Sequence, residues 1–93
     1  MKHTVIGMDI AKHIFQLHIV DPATGVVERT KLKRAEVLVY FAQRPRALVA
    51  MEGCGGAHYW ALELVKLGHE VRLLPARAVR PFVLRARVRH QTA

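Results

Sequence analysis

A chain of 93 residues has room for one sheet and a few helices, and with 52% apolar residues it is not a disordered polymer. The formal net charge of +8 favours a polyanionic partner, since each phosphate neutralised by Lys or Arg releases condensed counterions. A single cysteine, Cys54, excludes an internal disulfide, and no apolar run approaches the roughly 20 residues that span a bilayer, so a membrane is not expected. The charge gathers toward the C-terminus: residues 1–56 hold eight Lys/Arg against five acids, residues 57–93 seven against two.

In chain order, Thr4 to Ile10 reads as a buried strand, with Val5, Ile6, Met8 and Ile10 around Gly7 and Asp9. The start of the chain is too short in apolar residues and too charged for a secretory signal, and a reducing cytoplasm is the expected compartment. Ile14 to Val20 alternates, with Phe15, Leu17 and Ile19 on one face and Gln16 and His18 on the other. Asp21-Pro22-Ala23-Thr24-Gly25 is a turn, and Val26 to Leu32 a third strand, polar on one face through Glu28 and Thr30. Short links predict an antiparallel meander.

The period then changes. Ala35, Leu38, Phe41 and Ala42 recur at helical spacing until Pro45 stops the helix. Ala47 to Met51 is a continuous apolar run before Glu52, as in a central strand. Gly53 to Gly56 forms a turn. Ala57, Trp60, Ala61, Leu64 and Leu67 then make a helical stripe closed by Gly68. Glu70 to Leu74 is the last strand, ended by Pro75. The order βββαβαβ is that of an α/β ribonuclease-H-like mixed sheet. The expected division is a domain over 1–75 and a basic arm over 76–93, whose charges are all arginines: Arg77, Arg80, Arg85, Arg87 and Arg89.

Two acids stand among apolar residues, Asp9 in the first strand and Glu52 at the end of the fourth. A charge so placed is costly unless paired or bound to a metal. In this fold the two strands are neighbours, so the carboxylates meet at matching strand ends and repel unless a divalent cation bridges them. Mg²⁺, which takes oxygen ligands and keeps several waters, suits phosphodiester chemistry there. The plainer reading is that Asp9 ends a strand and Glu52 favours the N-terminus of the following helix.

Gly7-Met8-Asp9-Ile10-Ala11-Lys12, Met51-Glu52-Gly53-Cys54-Gly55, His58-Tyr59-Trp60 and Leu67-Gly68-His69-Glu70-Val71 together strongly resemble the DEDD transposases of the insertion-sequence-110 family over about residues 4–83. The resemblance implies the N-terminal, RuvC-like domain of a Mg²⁺-dependent enzyme acting on DNA in a bacterial nucleoid. Asp9 and Glu52 match the family's first catalytic carboxylates and metal ligands. It also implies DNA as partner, an element-encoded RNA guide as in relatives, and self-association or pairing with an intact transposase. The family pattern continues past Val79-Arg80-Pro81-Phe82-Val83 into an Asp-x-x-Asp stretch, whereas this sequence has no acid after Glu70 and no serine for the family's nucleophile. The expectation is a truncated domain, frameshifted or stopped near residue 84, without nuclease activity of its own.

Among the remaining features, Lys12 and the five C-terminal arginines are candidate phosphate contacts. For Lys12 a solvated turn lysine is the plain alternative, and for the arginines an unstructured tail. Cys54 has no evident activating base and reads as a small turn residue. The six histidines show no zinc spacing and read as surface or packing residues. Trp60 is expected in the core, while Tyr59, off the stripe, could stack on a base. The competing functions are a transposase fragment, a non-catalytic nucleic-acid-binding remnant that regulates an intact transposase, a relic without function, and half of an actin-like ATPase. Against the last, Ala11-Lys12-His13 replaces the phosphate-binding turn that such a fold carries after its Gly-x-Asp strand.

Overall fold

The computed structural model describes residues 4–53 and 55–75. Its strands are β1 (Thr4–Asp9), β2 (Ile14–Val20), β3 (Val27–Lys33), β4 (Ala47–Glu52) and β5 (Glu70–Leu74), and its helices α1 (Val37–Ala42) and α2 (Ala57–Lys66). The sheet order is β3-β2-β1-β4-β5. The first three strands pair antiparallel, as their short turns allow, while β1–β4 and β4–β5 pair parallel, the last two joined by the α2 crossover. This is the element order expected from the hydrophobic patterns.

Both helices lie on one face of the sheet. Strand alternation sends Ile6, Met8, Phe15, Leu17, Ile19, Val49 and Met51 to that face, where they form one buried cluster with Val37 and Phe41 of α1 and Ala57, Trp60 and Leu64 of α2. Phe15 meets Trp60 edge-on at 4.9 Å. The Arg34 guanidinium covers both rings, 5.7 Å and 5.4 Å from their centroids, and closes the cluster on the solvent side.

Three local expectations shift. The first helix begins as a 3-10 turn, Arg34–Glu36, and its buried residues are Val37 and Phe41. Ala35 and Ala42, expected in its apolar stripe, are exposed. A tight 3-10 start rotates the stripe relative to a continuous α-helix. The third strand runs one residue later than expected, and Glu28 and Thr30 lie on the helix-bearing side, while Val27, Arg29, Lys31 and Lys33 take the second face. His18, expected on a polar face, is 1% exposed, as Val27 (2%) and Ala50 (7%) on that second face are nearly buried too.

α2 ends as the sequence requires. Gly68 has φ 96°, which a side chain would strain. Its N–H bonds the Val65 carbonyl at 2.9 Å, and the His69 N–H bonds the Leu64 carbonyl at 3.1 Å. This double closure satisfies carbonyls that the helix end leaves open and turns the chain into β5.

Two residues past α1, Arg44 donates to the Tyr40 hydroxyl at 2.8 Å and stands 5.1 Å over its ring. Burial pushes the Tyr40 hydroxyl above the ordinary tyrosine value, with Arg44 opposing and Glu28 assisting. A proton held more tightly by the folded chain contributes stability below the ordinary pKa of about 10, and that stability is lost as pH rises through the raised folded value. Tyr40→Phe should therefore flatten the loss of stability above about pH 10. Urea midpoints measured across alkaline pH check this; an unchanged alkaline slope would show that Tyr40 contributes nothing there.

Candidate functional site

Parallel pairing of β1 with β4 aligns Gly7 with Ala50 and Met8 with Met51, so the next residues in register are Asp9 and Glu52. Both stand at the C-terminal ends of adjacent central strands and both are exposed. Neighbouring strands are about 4.8 Å apart, which brings two carboxylates on the same face within reach of one cation. That face is the second one, opposite α1 and α2, since Met8 and Met51 point into the core. Beyond Asp9, the row across the sheet continues through Gln16 of β2 to Lys31 of β3.

Lys12 is exposed in the loop joining β1 to β2, at the same end of the sheet as the two acids. Arg77, Arg80, Arg85, Arg87 and Arg89, like Cys54, lie outside the described residues. Tyr59 is 55% exposed on α2, its ring 5.1 Å from Trp60. The donor set at Asp9 and Glu52 fits Mg²⁺ in kind, being hard carboxylate oxygens, but not in number: among the described residues no three His, Cys, Asp or Glu side chains cluster as metal ligands. Also among the described residues, no helix is long and apolar enough to cross a membrane.

His69 has a structural role that spacing alone did not reveal. It is 4% exposed, at the entry to β5. Its Nδ1 accepts the Ala47 N–H at 3.1 Å, and its Nε2–H donates to the Phe41 carbonyl at 2.8 Å. The neutral Nε2–H tautomer serves both bonds. One imidazole thus ties the end of α1 to the first residue of β4 and the start of β5. Holding β4 at this end helps set the register that places Glu52 beside Asp9 at the other.

The chain is 56% identical over 78 residues to the "Probable family 20 transposase" of Pseudomonas aeruginosa, an overlap of 84% of this chain and 23% of that protein. It is 38% identical over 80 residues to the transposase for insertion sequence element IS1328 of Yersinia enterocolitica, covering 86% of this chain and 24% of the relative. This chain is a homologue of insertion-sequence transposases. It spans less than a quarter of the length of these curated relatives. No protein-family model matches it. Among solved structures, the large terminase nuclease from thermophilic phage G20c with bound zinc superposes with a TM-score of 0.66 at 17% identity, covering 96% of this chain and 60% of that one. At that identity the likeness concerns the fold, which is ribonuclease-H-like. On this fold, the ends of β1 and β4 are where Asp9 and Glu52 stand side by side.

Proposed function

We propose that this chain supplies the first two carboxylates, Asp9 and Glu52, of a divalent-metal site for DNA strand cleavage and joining in a transposase. The observation that carries the reading is their adjacency in register at the ends of β1 and β4. The homology to transposases supports DNA as the substrate class. A cation held there would act as a Lewis acid on a phosphoryl oxygen. Asp9 and Glu52 would hold it through charge and oxygen donors, and Lys12, three residues beyond Asp9, would orient the phosphate by charge. With no acid after Glu70 in this sequence, the remaining carboxylate ligands of a complete site would come from another part of a transposase. The family resemblance extends the partners to an element-encoded RNA and an intact transposase chain, and the arginine charge of residues 76–93 adds a further backbone contact.

A second reading is favoured by one observation: no third ligating side chain joins the pair among the described residues. On that reading the chain binds nucleic acid without cutting it. Titration of the folded chain with Mg²⁺, followed by amide chemical shifts, separates the two. The first reading expects weak saturable shifts centred on Asp9 and Glu52 that vanish in Asp9→Asn. No localised shifts at millimolar Mg²⁺ would leave the non-catalytic reading.

A further inference from the structure

We infer that the second face of β3 carries a phosphate-binding stripe, formed by Arg29, Lys31 and Lys33, that leads the backbone of a DNA duplex toward the Asp9–Glu52 end of the sheet. The inference rests on the reading of this chain as a transposase domain acting on DNA.

Arg29, Lys31 and Lys33 are alternate residues of one strand, so their side chains share a face, spaced about 7 Å apart. All three are exposed. Their neighbours in register are His18, Gln16 and Ile14, none of them an acid. Of the other six described Lys and Arg side chains, four are differently employed. Arg34 lies over Phe15 and Trp60, Arg44 bonds Tyr40, Lys66 pairs with Glu63 at 2.9 Å, and Arg72 pairs with Glu70 at 3.0 Å. Among the described residues, no ion pair within 4.0 Å engages Arg29, Lys31 or Lys33. The strand's acid, Glu28, stands on the opposite face.

The position gives the stripe its direction. Lys31 lies in the same cross-strand row as Gln16 and Asp9, two strand spacings or about 10 Å from Asp9. A phosphate backbone held along β3 would therefore run beside the carboxylate pair, on its face of the sheet. Lysines on an edge strand also serve to prevent edge-to-edge pairing between molecules. That alternative makes different predictions.

The test is the salt dependence of duplex DNA binding by the full 93-residue chain. Three variants are compared: the parent, Arg29→Gln/Lys31→Gln/Lys33→Gln, and a charge-matched control, Arg46→Gln/Lys66→Gln/Arg72→Gln. Circular dichroism establishes that each is folded, and sedimentation reports whether it self-associates. Each phosphate contact contributes about 0.9 to the slope of log K against log salt, so the stripe variant should lose about 2–3 from the slope and the control much less. An equal loss in both would make the effect one of net charge and overturn the stripe. An unchanged slope in a stripe variant that self-associates would assign these residues to edge protection instead. Loss confined to an RNA probe, with duplex DNA unaffected, would overturn it as well. If the parent binds no duplex at low salt, the DNA reading itself fails, and the stripe with it.

Discussion

Replacing His69 by leucine is expected to cost about 2–6 kcal/mol, because leucine fills the space but strands two buried backbone groups at about 1–3 kcal/mol each. Those groups are the Ala47 N–H and the Phe41 carbonyl, both now bonded to the imidazole. A chain of this size has a total stability of about 5–14 kcal/mol, so a third or more could go. At about 4–8 °C per kcal/mol, the midpoint of thermal unfolding should fall by roughly 8–48 °C. His69→Gln, which keeps a donor and an acceptor, should recover part of the loss. Thermal melts of the three proteins decide the matter. A fall of only a few degrees for the leucine variant would mean that water replaces the ring, and that β4 does not depend on this tie for its register.

The largest functional effect is expected at the acids. When this chain replaces the corresponding segment of the Pseudomonas aeruginosa relative, Asp9→Asn and Glu52→Gln should each lower Mg²⁺-dependent strand cleavage by about a thousandfold. A ligand charge that supports several kcal/mol of transition-state stabilisation corresponds to that factor, at 1.4 kcal/mol per tenfold. Both residues are exposed strand ends, so neither change should disturb folding. The 93-residue chain alone should leave supercoiled DNA intact in Mg²⁺, since two carboxylates fall short of a two-metal site. Cleavage by the chimera that survives either substitution within tenfold would remove the metal-ligand role. Cleavage by the isolated chain that Asp9→Ala abolishes would show that two acids suffice.

Much of this was legible in the residues themselves. Apolar alternation in Ile14 to Val20, the continuous run Ala47 to Met51 and the stripe from Ala57 to Leu67 define strands and a helix by period alone, because burial on one face demands it, although Leu67 at the helix end proves exposed. Gly68 announces the end of α2, since only glycine takes φ 96° without strain. Asp9 and Glu52 stood out because each follows an apolar run, although both prove to be exposed at strand ends, where water solvates the charge. Tertiary structure alone decided the rest. Which residues of β3 share a face with Asp9 depends on pairing parity: a one-residue shift reverses every side chain, and the sequence of an edge strand, apolar at only a few positions, specifies parity weakly. That is why the residues themselves single out Glu28 and Thr30 as the polar face of β3 and not the row Arg29, Lys31, Lys33. His69 was equally opaque. Its partners are backbone groups of Phe41 and Ala47, 28 and 22 residues away in sequence, and a backbone donor or acceptor has no side-chain signature from which such a contact could be read.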